Sequence, residues 1–540
     1  MPFNMSPSVT IKERDLTSVI PAIAVGIAGT VGQFVWGSCE EIQTISDENV
    51  LVDKFGKPNN NIYKDFFSAS NFLSYSRNLQ VVRVVNDDAL NASCNATTSD
   101  TGILIKNKDV YDSLSFDGDT QLFVAKYPGA LGNSIGVAWA DADTFNDEDS
   151  NGFTWEFHSI FNNAPEANQR HVVVYDADGK ISGQAGSVLE TFEYVSLVEG
   201  TKKFDGSNNY IKTVINNGSK YIYTANLSIL TTGSNGITLG SGSDGSQAID
   251  ADYINGWTLF QNDEEIDVRL LVTGGCSNVV KKWVIDNIAE VRKDCVAFVS
   301  PAETDCVGIG NNSTILSNIQ ATRTSLGSSS YAFMDSAYKY QYDKYNDVNR
   351  WVPLNGDIAG LRAKTSFDFD PWYGSWGYNN GRIKNIIKFS WTQNKTFRDE
   401  LFKISVNPVV LDKTAGAVLL GDKTLLSAPS AFDALNVRML FIVLEKAIAT
   451  SAKYRLSNFN DEFERNQFIN EVEPYLREVQ GRRGIQDFRV ICDETNNTPE
   501  VIDSNQFVGT IAIKPNRSIR NIILNFVAVR TGVSFEEIFE

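Results

Sequence analysis

The hydrophobic pattern is clearest in the last quarter of the chain, where it predicts two helices. Residues 439–444 read MLFIVL, and a helix that is apolar on every side normally lies between other elements. We expect this core helix to begin with a capping box at Ser430 and Asp433 and to run to about Ser457. A second helix is predicted after residue 460, because apolar residues recur at the spacing of one helical face, at Phe468, Val472, Tyr475, Leu476 and Val479.

Pro474 interrupts the second helix. Since proline lacks an N–H donor, we expect a kink or a fresh start there, with Gly481 as the terminator. Three strands are predicted next, at 488–493, 507–514 and 521–530. The third is apolar on both faces and lies close to the end of the sequence, so it either closes its own sheet or pairs with a neighbouring subunit. The sequence alone leaves both alternatives open.

Strands and helices alternate in two separate stretches of the chain, which predicts one mainly parallel sheet with helices packed on it. The segment between those stretches is rich in Asp, Asn, Ser, Thr and Gly and predicts one or two inserted β-rich domains. We therefore predict a multidomain α/β and α+β chain. Its parts are an N-terminal arm at 1–20, an α/β domain formed by 21–90 with 257–378, the β-rich insertion at 91–256, a C-terminal α+β domain at 379–515, and a terminal strand or arm at 516–540.

Composition excludes several classes of protein. A net charge of −18 argues against a protein that coats nucleic acid, because such a protein needs a basic surface. The six cysteines show no metal-binding spacing, which is typical of free thiols in a reducing compartment. The N-terminal sequence has neither the pattern of a signal peptide nor that of a membrane span, so we expect synthesis in the cytoplasm.

Three motifs come near to known chemistry and depart from it. Asp147, Asp149, Asn151 and Gly152 match the first half of a calcium loop, but His158 stands where a bidentate Glu should close the shell. We interpret this stretch as an acidic turn. Residues 416–424, GAVLLGDKT, are one residue too long for a phosphate-binding loop and place an acid where phosphate would bind.

The third motif is the pair Gly274 and Gly275 after a predicted strand, which lacks the spacing of a dinucleotide-binding turn and is interpreted as structural. The acids Asp368 and Asp370 stand among aromatic residues, and we interpret them as loop-capping groups. No catalytic residue, cofactor site or metal site is predicted, and we expect the chain not to be an enzyme.

Several segments resemble the contractile phage tail sheath proteins. The densest resemblance lies in NVRMLFIVLEKAIATSAKYRLSNFND at 436–461 and in VQGRRGIQDFRVICDETNNTPE at 479–500. It continues in DPWYGSWGYNNGRIK at 370–384 and in SPSVTIKERDLT at 6–17. The resemblance implies a structural subunit of the virion, assembled in the bacterial cytoplasm as helically stacked hexameric rings around a tail tube. It also implies a sheath that contracts to drive the tube through the host envelope, with the tube, baseplate and tail terminator proteins as partners and no direct contact with nucleic acid or membrane.

The resemblance also gives meaning to both ends of the chain. Taken alone, residues 1–20 are either a frayed terminus or a strand that pairs with another chain. The family implies pairing between subunits, and the residues expected to carry it are Val9, Ile11, Ile522, Leu524, Phe526 and Ala528. Arg477, Arg482 and Arg483 are either a solvated helix end or, as the resemblance implies, a contact to acidic groups on the tube.

Two other functions stay open at this stage. The Asp-rich β region is compatible with a calcium-binding or carbohydrate-binding surface protein, although the absence of a secretion signal argues against it. The predicted α/β domain is compatible with a nucleotide-using enzyme, which would require nucleotide binding.

Overall fold

The computed structural model describes residues 26–150, 152–520 and 523. The predicted strand residues Val9, Ile11, Ile522, Leu524, Phe526 and Ala528 lie outside this range. Contacts divide the described chain into two compact units. The larger unit holds residues 26–371 and 375–446, and the smaller unit holds residues 372–374 and the part that follows residue 446.

A six-stranded sheet forms the core of the larger unit and confirms the predicted parallel α/β architecture. Five neighbouring strands are parallel, and only the last edge strand runs antiparallel to its neighbour. The strands follow in the order Ala332–Met334, Val296–Val299, Leu270–Val272, Ala28–Gly32, Leu79–Arg83 and Ile42–Ile45. Nearly every residue of the five parallel strands is buried, as expected where both faces of a sheet are covered, whereas the edge strand Ile42–Ile45 is partly exposed.

Helices cover both faces of this sheet. Gly29 and Gly32, at odd and even positions of one strand, face opposite sides of the sheet. A Cβ atom added at Gly29 would meet Phe260, which follows the helix Asp250–Thr258, and one added at Gly32 would meet Asp65 in the helix Tyr63–Leu73. The helices associated with the sheet are Glu48–Phe55, Tyr63–Leu73, Asp250–Thr258, Asn278–Val284, Glu303–Cys306, Asn312–Leu326 and Asn355–Asp368. The helix Asn278–Val284 continues as a π-helical turn, Ile285–Ala289, and then as Glu290–Arg292.

Two four-stranded antiparallel sheets share one apolar core in the middle of the chain, which agrees with the predicted β-rich region. The first has the order Ser187–Ser196, Gln169–Asp176, Ile135–Ala140 and Gly233–Thr238, and the second has the order Ile222–Thr224, Phe123–Ala125, Asn91–Cys94 and Ser99–Ile103. Trp139 and Phe123 bring the two sheets together, with ring centroids 5.7 Å apart. The short elements of this region are the hairpin Glu148–Asp149 and Gly152–Phe153, the helices Lys108–Ser113, Ala142–Asn146 and Ile211–Gly218, and the 3-10 turns Ala130–Ser134, His158–Ile160 and Leu227–Ile229.

The remaining part of the larger unit consists of small sheets and short helices. A three-stranded sheet has the order Val348–Pro353, Tyr338–Asp343 and Lys388–Phe389, and a hairpin joins Val409–Asp412 to Gly416–Leu419. The helices here are Gly377–Asn380 and Lys395–Lys403, with a 3-10 turn at Ala431–Asp433. The predicted cap at Ser430 is real, but its hydroxyl accepts the N–H of Phe432 and begins this short turn, and the long helix starts only at Leu435.

The long helix Leu435–Lys453 leads into the smaller unit and buries the apolar centre that the sequence predicted. It ends four residues before the predicted end. The smaller unit continues with the helix Glu462–Gly481, the strand Ile485–Ile491, the short helix Pro499–Asp503 and the strand Thr510–Pro515. None of the helices in the described part of the chain has both the length and the apolar character that a bilayer-spanning segment requires.

Of the kink or fresh start expected at Pro474, the fresh start is wrong. The helix Glu462–Gly481 is continuous through it and ends at the predicted Gly481. Its apolar face is Phe468, Val472, Leu476 and Val479, all of them buried. This burial offsets the loss of one backbone hydrogen bond at proline.

Candidate assembly surface

The two strands of the smaller unit form a sheet of their own. Ile485–Ile491 pairs antiparallel with Thr510–Pro515, and Phe488 lies opposite Ile513 while Val490 lies opposite Ile511. These four apolar side chains are only half-buried, although the helix Glu462–Gly481 packs against the first strand. The intervening residues point the other way and are exposed. The sheet therefore has one apolar face whose cover is incomplete.

Both outer edges of this sheet are open within the described residues. It contains two strands only, so the backbone N–H and C=O groups on the outer side of each strand have no strand partner there. A two-stranded sheet is marginally stable by itself, and an open edge is a template for strand addition. The geometry suits the addition of one strand at either edge.

The chain leaves the second strand with apolar groups exposed. Ile519 and Ile523 are 75% and 83% exposed. Ile523 belongs to the stretch 521–530 that the sequence predicts as a strand, but its neighbours lie outside the described residues. The pairing of that stretch, and of the arm residues named above, stays a prediction.

The three predicted arginines lie together where the helix Glu462–Gly481 ends. Arg477 pairs with Glu473 at 3.2 Å and Arg482 with Glu478 at 3.5 Å. The side chains of Arg477 and Arg482 are nevertheless 69% and 52% exposed, and Arg483 is also exposed. Exposed ion pairs of this kind are weak, so both guanidinium groups could exchange their partners for acids on another molecule.

We call the helix end that carries Arg477, Arg482 and Arg483 the arginine turn. Hydrogen bonds from two side chains to its backbone hold it in place. The indole Nε1–H of Trp372 donates to the carbonyl of Arg482 at 3.1 Å, and the Arg482 guanidinium lies over the Trp372 ring. Arg483 has a left-handed backbone (φ 67°), and its carbonyl accepts from Asn516 Nδ2 at 2.7 Å. The turn therefore presents its charges from a fixed backbone.

A buried asparagine that sequence reasoning missed fixes the connection between the two strands. Asn497 is 2% exposed, and its side chain exchanges two hydrogen bonds with the backbone of Val508, at 2.8 and 2.9 Å. Asn460 also donates to Asn497 Oδ1 and to the carbonyl of Gln506. The run Thr495–Thr498 carries only the general sequence signal of a turn, because the partners of such a side chain are distant in sequence.

In the six-stranded sheet, an acidic side chain lies at the point where a sheet of this kind usually binds a ligand. Ligands bind where neighbouring parallel strands diverge to opposite sides, here beyond Gly32 and Val272. Asp65 occupies this point, since its carboxylate accepts hydrogen bonds from the N–H of Gln33 at 3.0 Å, the hydroxyl of Tyr253 at 2.7 Å and the N–H of Gly275 at 3.3 Å. The Gly274–Gly275 turn thus has the structural role that the sequence predicted.

Residues of the other motifs also make contacts with residues close to them in sequence. Asp147 accepts hydrogen bonds from Thr154 beside the hairpin of 148–153, and the His158 ring stacks on Phe153 at 3.4 Å. Asp368 pairs with Lys364 one helical turn earlier. Within the described ranges, no group of three or more His, Cys, Asp or Glu side chains is arranged to hold a metal ion.

Comparisons with known proteins agree on one family. The family model described as the phage tail sheath C-terminal domain matches residues 427–528. The sequence is 33% identical to the tail sheath protein of Vibrio phage KVP40, with 99% of both chains covered. It is 32% identical to the tail sheath protein of Enterobacteria phage T4, again with 99% of both covered.

Solved structures share the fold at lower sequence identity. A sheath tail protein from Listeria innocua has a TM-score of 0.57 at 14% identity, with 92% of this chain and 96% of that one covered. The helical sheath of the anti-feeding prophage in its contracted state has a TM-score of 0.52 at 10% identity, with 97% and 99% covered. At these identities the likeness bears on the fold alone.

Proposed function

Since this chain belongs to the phage tail sheath proteins and is a structural subunit of a virion, we propose that its copies stack as six-membered rings in a helix around a tail tube. The stack is extended when it assembles on a baseplate and shortens to drive the tube through the host envelope. A terminator protein closes its far end, and assembly takes place in the bacterial cytoplasm. The chain acts through changes in subunit packing and carries out no catalysis.

One observation carries this proposal. The smaller unit, which the family model of the C-terminal domain covers, has a two-stranded sheet with both edges open among the described residues and an apolar face that is half-covered. Strands donated by neighbouring copies would complete it, and main-chain hydrogen bonds would hold each donated strand. Such links persist while the rest of each subunit moves as a rigid body between two arrangements.

Shortening each arm in turn tests the linkage between copies. A cut after Gly509 would remove the strand Thr510–Pro515, which pairs within its own chain, so the cut is better placed after Arg520. We expect chains that lack residues 1–20, or those after Arg520, to melt at the wild-type temperature and to sediment as monomers. Wild-type protein should form hollow cylinders in negative-stain microscopy.

A matched pair of substitutions separates strand pairing from mere length. Val9→Ser with Ile11→Ser removes the apolar side of the predicted N-terminal strand, and Thr10→Ser with Lys12→Ser changes the alternate side. The first pair should abolish cylinders and the second should preserve them. Normal cylinders from both truncated chains would overturn the proposal that the arms link subunits.

The arginine turn is proposed to contact acidic groups on the tube. We expect Arg477→Glu with Arg482→Glu and Arg483→Glu to weaken co-assembly on purified tubes, and raised salt to weaken wild-type co-assembly, because exposed charges are screened. Reversal of the exposed lysines Lys395, Lys403 and Lys413 makes the same change in net charge elsewhere and serves as the control. Equal co-assembly by the two triple variants would rule out this contact.

A further inference from the structure

An apolar corner of the smaller unit has no use in the function proposed so far. Four large side chains at the junction of the helices Leu435–Lys453 and Glu462–Gly481, the last of them in the first turn of the second helix, point to solvent: Tyr454 is 84% exposed, Leu456 77%, Phe459 84% and Phe463 73%. We call these four residues the apolar knuckle. Single exposed apolar residues are ordinary, but four large ones within ten positions are not.

Polar side chains that are largely buried stabilise the segment that carries the knuckle. The Arg455 guanidinium, whose side chain is 12% exposed, pairs with Glu464 at 2.9 Å and with Glu471. Asn460 accepts from Arg465, which is 7% exposed, and donates to the carbonyl of Gln506 at 2.8 Å. Polar groups are thus buried where apolar groups are exposed. This reversal of the usual pattern indicates that the apolar side meets another molecule.

The size of the knuckle suits a lasting protein contact. A covered large side chain buries roughly 150–250 Å², so these four at their present exposure offer roughly 600 Å². The largest apolar patch on an ordinary monomer is about 300–600 Å², and a stable interface buries about 800 Å² on each partner. With a narrow polar rim the knuckle reaches that area.

We propose that the knuckle docks on a second copy of this chain and holds neighbouring sheath subunits together. The inference rests on the proposed function. The helix Glu462–Gly481 has 20 residues and is about 30 Å long. Phe463 lies at its start and the arginine turn at its end, so the surface proposed for the tube lies at the opposite end of that helix. A contact that slides along a tube is best made of exchangeable charges, whereas a contact that persists through contraction is best made of apolar surface.

The test compares polymerisation without tubes. Phe459→Ser with Phe463→Ser removes the two aromatic rings, and Phe459→Leu with Phe463→Leu keeps most of the apolar area. Both variants should melt within a degree or two of wild type, because the side chains are exposed in the monomer. The serine variant should need at least about tenfold more protein to form cylinders, and the leucine variant should behave nearly as wild type.

A fluorescent label reports burial of the knuckle directly. The six native cysteines are buried, so Asn458→Cys offers an exposed thiol for an environment-sensitive dye, and its emission should shift to the blue as tube-free cylinders form. Serine and leucine variants that polymerise alike, or a label that stays in water, would overturn the inference and leave the proposed function standing. A serine variant that polymerises normally but no longer coats tubes would assign the knuckle to the tube and also overturn it. Wild-type protein that forms no cylinders would overturn both proposals.

Discussion

A buried ion pair in the larger unit offers the sharpest test of how that unit is stabilised. Lys339, on the strand Tyr338–Asp343, and Asp357, on the helix Asn355–Asp368, are 0% and 1% exposed. The Lys339 ammonium lies 2.8 and 2.9 Å from the two carboxylate oxygens, and it also donates to the carbonyl of Lys384. The Tyr75 hydroxyl donates to the same carboxylate at 3.1 Å.

Asp357→Asn removes the negative charge with little change in shape. It leaves a buried ammonium uncompensated, and we expect a loss of roughly 3–5 kcal/mol in the free energy of unfolding. That is a large share of the roughly 5–15 kcal/mol that stabilises a typical domain. Urea denaturation followed by circular dichroism should show the loss in the transition of the larger unit.

Two matched variants decide whether burial of the charge is the cause. Asp368→Asn breaks the pair with Lys364 on the same helix, where the side chains are 36% and 46% exposed, and it should cost no more than about 0.5 kcal/mol. Lys339→Met combined with Asp357→Leu removes both buried charges and should be at least about 2 kcal/mol more stable than Asp357→Asn. An Asp357→Asn protein as stable as Asp368→Asn would refute the reasoning.

Two further predictions concern the other parts of the chain. Burial lowers the pKa of His171, which is 0% exposed and bonded through Nε2 to the carbonyl of Asn163 at 2.9 Å. The unfolded chain therefore takes up the proton first, and the β-rich region should lose stability as the pH falls through about 6.5 and below. His171→Gln should flatten this pH dependence of the melting temperature. An unchanged slope would contradict the assignment to His171. Asn497→Ala should lower the free energy of unfolding by roughly 2–3 kcal/mol, because both backbone groups of Val508 lose their partners. It should also speed hydrogen exchange at the Val508 amide, whereas Asn497→Asp, which keeps the acceptor, should protect that amide better. Equal exchange in both variants would count against a role of the Asn497 side chain in holding Val508.

Periodicity predicted the parts of the fold that depend on local burial. The all-apolar run 439–444 became a buried helix, and the face from Phe468 to Val479 was found residue by residue except for the half-buried Tyr475. The alternation of strand and helix predicted the parallel sheet, because a parallel crossover requires an intervening element. In each case the signal and its cause lie within one window of sequence.

Features that depend on distant partners could not be predicted. Asp65 reads as an ordinary acid in a helix, yet it bonds to groups 32, 188 and 210 positions away. The fresh start expected at Pro474 failed for a related reason, since local propensity was outweighed by burial of the surrounding helical face. The apolar knuckle was hidden because its sequence, YRLSNFNDEF, resembles a normal helix junction, and only exposure reveals that its apolar side chains face outward.

The larger unit contains a six-stranded sheet and buried polar contacts, and the sheet of the smaller unit has two strands. In the larger unit the Asp65 carboxylate bonds to groups where the strands of the sheet diverge, and an ion pair joins a strand to a helix. Such an interior resists partial rearrangement, because a buried polar network with one partner missing is costly. Among the described residues, the smaller unit presents open strand edges and the apolar knuckle. Because contacts between copies of the smaller unit are proposed to persist through contraction, they cannot supply its free energy, which must come from contacts that change. We therefore expect substitutions in the smaller unit to change assembly and to leave the melting of the larger unit unaltered.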